Sequence, residues 1–154
     1  MTILFPGIVT IVIPLSLIQE NSHLAIEQWS WPHLPATLLI FCGLIILGKC
    51  IWEFADSGKG TLAPFDAPNQ LVVQGIYRYV RNPMYLGVYL MLIGEAWLFQ
   101  SLEIATWFGI FFLISNLFVI LYEERQLQEQ FGEVYSDYSS QVRRWIPGKP
   151  YKQK

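Results

Sequence analysis

The chain has 154 residues, a length suited to one domain, and is 53% hydrophobic with only 14% charged residues and a mean hydropathy of +0.37. Soluble domains carry about 25% charged residues, so the deficit excludes an ordinary soluble enzyme and points to an integral membrane protein. The net charge of −2 gives no reason to expect a nucleic-acid partner.

Four apolar blocks carry the hydropathy. Residues 3–18 are apolar apart from Thr10 and Ser16. They lack a basic start and a small-x-small site, so they do not read as a cleavable signal peptide. Residues 34–54 hold Lys49 and Glu53 only near their end. Residues 83–99 contain one acid, Glu95, and 103–122 have no charge after Glu103. About 20 helical residues cross a hydrocarbon core roughly 30 Å thick. The first and third blocks are short by that measure and need local thinning or polar flanks. The expected fold is therefore all-α, with about four transmembrane helices; three spans is the alternative. All ten basic residues lie at the inner end of the second block, in the loop 55–82, or after the fourth block. The positive-inside rule then puts both termini and that loop in the cytoplasm.

Between the blocks, Trp29 and Trp31 in the loop 19–35 mark a headgroup layer. His23 and His33 have no carboxylate or cysteine at ligand spacing, so no metal is expected. Cys42 and Cys50, eight apart on one helix and separated by about 12 Å, suit packing rather than a disulfide. Ser57-Gly58-Lys59-Gly60-Thr61 imitates part of a Walker A loop. However, Glu53 stands where the opening Gly belongs, and Gly60 stands where Ser or Thr follows the lysine. The segment 56–69, with Gly58, Gly60, Pro64 and Pro68, reads as a flexible connection. Residues 71–80 turn amphipathic and aromatic and are expected to lie along the membrane surface. Asn82 can cap, and Pro83 can start, the third span. Gly87 and Gly94 share a face where another helix can approach closely. Beyond the fourth span, Glu123, Leu127, Phe131, Val134 and Tyr138 keep helical spacing. They predict an amphipathic cytoplasmic helix, weakened at Gly132 and stopped before Pro147 and Pro150.

Arg78, Arg81, Asn82, Tyr85 and Glu123 form the constellation with most chemistry. Arginine forks suit carboxylate or phosphate, a glutamate accepts from ammonium or ribose hydroxyls, and Tyr77, Tyr79 and Tyr85 offer faces to a purine or sulfonium. The same residues would equally serve as headgroup anchors and a solvated acidic face. Residue chemistry alone leaves both readings open.

The pattern Leu71-Val72-x-x-Gly75-x-Tyr77-x-x-x-Arg81-Asn82-Pro83-x-Tyr85-x-Gly87, followed by Glu123-Glu124-x-x-Leu127 and Phe131-Gly132-x-x-Tyr135-x-x-Tyr138, resembles the isoprenylcysteine carboxyl methyltransferase and phospholipid methyltransferase superfamily. The likeness covers roughly residues 63–147. It implies a single membrane-embedded domain over 1–154 that uses S-adenosylmethionine to methylate a lipophilic or lipid-linked acceptor. The cofactor region would comprise 69–87 and 119–147. By position, Asn69, Gln70, Leu71 and Val72 would line the cofactor through backbone groups. Tyr77, Asn82, Pro83, Met84 and Tyr85 would close over it, and Glu123 would hold its polar end. Arg81 would orient an acidic substrate headgroup, or simply pair with lipid phosphate. Asn82 replaces the family's usual His and cannot exchange protons near neutral pH. Val119 replaces a substrate-binding Arg of prenylcysteine enzymes, which argues against a prenylcysteine carboxylate. The likeness also implies a multi-pass protein of a bacterial inner membrane with its site on the cytoplasmic side. Two other readings stand beside it: a scaffold that retained the fold without turnover, and an NADPH-dependent enzyme like the sterol reductases. Glu95 inside a span is a functional candidate by default, although its place near the outer end favours a structural role.

Overall fold

A computed structural model describes residues 4–18, 33–56, 71 and 73–152, and all regular structure among them is helical. The first helix, α1, runs through Leu4–Gly7, a π turn at Ile8–Val12, and Ile13–Leu17. Helix α2 is His33–Asp56, α3 is Pro83–Leu98, and α4 begins as Leu102–Phe118. These bounds lie within two residues of the expected blocks at nearly every end. Helix α4 does not stop at the fourth block. It continues through a π turn at Val119–Glu123 into Glu124–Phe131, as the periodicity after residue 122 predicted.

Two helices, His33–Glu53 and Leu102–Phe131, are long and apolar enough to cross a membrane, whereas Ile8–Leu17 and Pro83–Leu98 are shorter. Only 22% of each long apolar stretch is buried inside the protein. Leu38, Phe41 and Trp52 on α2, and Leu113, Ile114 and Leu117 on α4, lie exposed. Apolar faces of this extent are stable against lipid and not against water.

Small residues determine how α2 meets α3. A Cβ added at Gly43 would come within 2.6 Å of the Gly87 carbonyl oxygen, and one at Gly94 within 2.7 Å of the Ala36 carbonyl. Gly87 and Gly94 therefore do what their spacing predicted: the two backbones touch where a side chain would hold them apart. Cys50, two turns beyond Gly43, is fully buried and Cys42 is exposed, both as free thiols. Helices α3 and α4 form a tight hairpin through Phe99–Ser101, with Gln100 at φ +47°. The Ser101 hydroxyl accepts from the Ile104 amide at 3.2 Å and starts α4. Helix α1 is tied to this hairpin by the Trp107 indole, which donates to the Val9 carbonyl at 3.2 Å.

Gly132, at φ +52°, ends α4, and a last helix, α5, spans Glu133–Gln141. The break shifts the helical phase. Tyr135 and Tyr138 turn inward, and Val134, expected on the apolar face, is 57% exposed. Leu71 and Val73 pack against Tyr135, Tyr138 and Val142, so the segment expected along the membrane surface is covered by α5.

Candidate active site

The corner between α2 and α3 is built around Glu53 and Gly75. Both carboxylate oxygens of Glu53 accept from the Ile76 amide, at 3.3 and 3.4 Å. They thereby cap the short 3-10 turn Gly75–Arg78. Gly75 is required twice over: its φ is +52°, and a Cβ there would overlap the Glu53 carboxylate. The turn buries Tyr77, whose hydroxyl is hydrogen-bonded to the Cys50 thiol. Burial, with the neighbouring Cys50 next in effect, holds the Tyr77 phenol well above its ordinary range.

From the other side, α5 and the segment after it close on the same turn. The Tyr138 hydroxyl donates to the Tyr77 carbonyl at 2.6 Å. The Arg81 amide donates to the Arg143 carbonyl at 3.0 Å, the Gly148 amide to Tyr79 at 2.9 Å, and the Tyr151 amide to Arg78 at 2.8 Å. Arg78 returns a bond from its Nη2 to the Tyr151 carbonyl at 3.3 Å. Residues 142–151 thus form a strap lying along residues 76–82. Asn82 does not cap α3 as expected. Its amide nitrogen donates to the Arg144 carbonyl at 3.4 Å, and no side-chain bond caps the helix. Pro83 alone starts the helix, and it is fully buried.

Two adjacent acids at the end of the fourth apolar block have opposite fates. Glu124 is the hub of the charged cluster. It accepts from Arg144 Nε and Nη2 at 2.7 Å each and pairs with Arg81 Nη1 at 3.1 Å. Donating these hydrogen bonds to Glu124 holds the Arg144 guanidinium above its usual range. Arg81 also donates to the Tyr135 hydroxyl at 3.2 Å, and its side chain is 14% exposed. Glu123, one residue earlier, has a buried Oε2 without any hydrogen-bond partner. Its charge reaches the hydroxyls of Tyr77, Tyr85 and Tyr135. The acids after the last apolar block and the Asn82-Pro83 corner are therefore brought together through Arg81 and Arg144.

Next to this corner, along α3, is an aromatic cluster. Tyr85 stands 6.1 Å from Trp145, edge to face, and Tyr89 stands 5.7 Å from it. Met84 packs on the same cluster. The Tyr89 hydroxyl is bonded to the Ser115 hydroxyl at 2.7 Å.

Of the expected site residues, the structure gathers Leu71, Tyr77, Arg81, Asn82, Pro83, Met84, Tyr85 and Glu123 around this corner. Asn69, Gln70 and Val72 lie outside the described residues. Sequence reasoning did not single out Glu53, Arg144 or Trp145 as parts of the corner, and it gave Glu124 no role of its own there. Arg144 entered only as cytoplasmic charge, and nothing in helical spacing distinguishes Glu124 from Glu123 as the partner of Arg81. Among the described residues no group of three or more His, Cys, Asp or Glu could hold a metal ion.

Among the described residues the structure is helical, with two exposed apolar helices long enough to cross a membrane and a polar corner where α3 begins and the fourth apolar block ends. The chain matches the phospholipid methyltransferase family over residues 31–134, well over half its length, and belongs to that family. It is also similar to a protein described as "Uncharacterized protein" from Haemophilus influenzae. The two are 42% identical over 66 residues, which cover 41% of this chain and 100% of that protein. No solved structure matches.

Proposed function

We propose that the chain is a membrane-embedded methyltransferase that uses S-adenosylmethionine and acts on a lipophilic or lipid-linked acceptor. The observation that carries this reading is the unpartnered, buried Oε2 of Glu123 beside the tyrosines of the corner. A buried acceptor without a donor costs about 1–3 kcal/mol, and in native proteins such a group calls for a functional account. An ammonium or ribose hydroxyl of a nucleoside cofactor would satisfy it, so the residues fit the cofactor. Leu71, Tyr77 and Asn82 through Tyr85 would surround the remainder, and the family resemblance adds Asn69, Gln70 and Val72 as cofactor-lining residues.

S-adenosylmethionine held there would supply an activated methyl group on its sulfonium to the acceptor's lone pair. The protein's contribution is alignment and exclusion of water. Glu123 and the 3-10 turn hold one reactant, and the strap and aromatic cluster close over the other. Asn82 positions the strap and moves no proton. Arg81, engaged with Glu124 and Tyr135, would orient an acidic headgroup only through its remaining nitrogens. We place four spans in the bilayer, with both termini and the pocket on the cytoplasmic side of a bacterial inner membrane. The basic residues Arg78, Arg81, Arg125, Arg143 and Arg144 support that orientation.

Isothermal titration of the detergent-solubilised protein with S-adenosylhomocysteine tests the reading. Saturable heat is expected. Absence of heat, together with an unchanged melting temperature, would overturn it.

A further inference from the structure

Trp145 belongs to no helix, yet its ring packs on the first two turns of α3. It meets Tyr85 and Tyr89, which are one turn apart on α3, and both tyrosines pack on Phe111 of α4 at 6.5 and 6.1 Å. Tyr89 also stands 5.2 Å from Phe112, which is 39% exposed on the apolar surface of α4. A continuous series of rings therefore leads from the lipid-facing surface, through Phe112 and Tyr89, to Trp145 and Tyr85. Tyr85 links this series to the polar corner, since it packs on Trp145 and lies two residues after Pro83, beside Asn82, whose amide bonds the strap.

The strap has little freedom to move this ring. Arg143 and Arg144, the two residues before Trp145, are bound through their carbonyls to Arg81 and Asn82 at 3.0 and 3.4 Å. Two parallel bonds of 2.7 Å join the Arg144 side chain to Glu124. A bidentate pair fixes direction as well as distance. Glu124 sits next to Glu123, so the same turn of α4 presents one acid to the pocket and uses the other to hold the strap.

We propose that Trp145 is the acceptor-side wall of the pocket, setting which lipophilic acceptors reach it, and that the Glu124–Arg144 pair is the positioning device for that wall. The proposal rests on the methyltransferase reading. It places the apolar part of the acceptor against Phe112, Tyr89 and Trp145, and leaves Glu123 and the 3-10 turn to the nucleoside.

The test uses the full chain in nanodiscs of phosphatidylethanolamine and phosphatidylglycerol, with isotopically labelled S-adenosylmethionine and a dispersed lipid extract. Trp145→Ala should raise the acceptor KM about tenfold and broaden the set of methylated lipids, with kcat falling less and the Kd for S-adenosylhomocysteine changing less than about threefold. An effect on KM alone is the signature of lost acceptor binding. Arg144→Ala should move KM in the same direction, and Arg144→Lys should restore part of it, which a merely structural role would not do. Trp145→Phe provides the same readout, with a smaller shift, if the alanine variant does not fold. Unchanged KM and lipid profile, or a loss of S-adenosylhomocysteine affinity as large as the KM change, would overturn the proposal.

Failure of the unmutated protein to bind S-adenosylhomocysteine would instead strike the methyltransferase reading. Trp145→p-benzoylphenylalanine then decides the wall by itself. Irradiation in nanodiscs should yield a lipid adduct at position 145 and none when the same group replaces the exposed Val134. Absence of the adduct would refute the lipid-facing role.

Discussion

Replacing Glu123 by glutamine should make the unliganded protein more stable and, at the same time, unresponsive to cofactor. Glu123 Oε2 is buried without a partner, and an unmet buried acceptor costs about 1–3 kcal/mol, more when it is charged. A neutral amide of the same shape lowers that cost, by about 1–2 kcal/mol. For a chain of this size each kcal/mol moves the melting temperature by about 2–4 °C, so Glu123→Gln should melt about 2–8 °C higher in detergent without ligand. The order reverses when ligand is added. At a hundredfold excess over Kd, S-adenosylhomocysteine should stabilise the unmutated protein by about 2.7 kcal/mol, and it should leave the variant nearly unmoved. Differential scanning fluorimetry with and without ligand records all four values. A variant that melts at or below the unmutated protein would show that Oε2 carries no stored cost. A variant that shifts with ligand as much as the unmutated protein would show that the acid is not the cofactor's partner.

The contact between α2 and α3 predicts that Gly43→Ala destabilises by about 1–3 kcal/mol, since its Cβ would meet the Gly87 carbonyl at 2.6 Å. Gly48→Ala, with nothing within 4 Å, should be neutral or slightly stabilising in the same melting assay. Gly75→Ala should cost about 1–3 kcal/mol from its positive φ alone, plus the overlap with Glu53. A double-mutant cycle with Glu53→Ala should recover the overlap but not the backbone strain. Glu124→Gln should weaken the strap by leaving Arg81 and Arg144 facing a neutral amide, read as faster tryptic cleavage after Arg143 and Arg144. Tyr138→Phe removes the hydroxyl bond to the Tyr77 carbonyl and should cost about 1 kcal/mol at neutral pH. Burial raises the folded-state pKa of Tyr138, so its contribution is complete below the unfolded value near about 10. That contribution is lost as pH rises toward the folded value. Melting curves of Tyr138→Phe should therefore fall less steeply above pH 10 than those of the unmutated protein.

What could be anticipated from the amino-acid order was whatever is decided within one helix. The apolar blocks set the helices, Pro83 and Gly132 set two boundaries, and the seven-residue spacing of Gly87 and Gly94 announced a close helix contact. The corner itself was legible as a set of residues, because Asn82-Pro83 and Glu123-Glu124 each end an apolar run on the same predicted side. How those residues pair was not legible, since every bond that decides it joins parts of the chain far apart in sequence. Asn82 had an available local role as a cap, yet its amide bonds the Arg144 carbonyl, 62 positions away. Arg81 was free to face lipid phosphate, yet Glu124 and Tyr135 take its Nη1. Helical period fails for a different reason at Val134: one glycine in a left-handed conformation resets the phase, and the inward position passes to Tyr135. Local pattern thus settles which groups arrive at the membrane surface, while the strap from Val142 to Tyr151 settles which of them remain available to a ligand. By engaging Glu124, Arg81 and Asn82 while Glu123 Oε2 has no donor, it makes two adjacent acids unequal. On the proposed function, that asymmetry is what a cationic nucleoside would recognise.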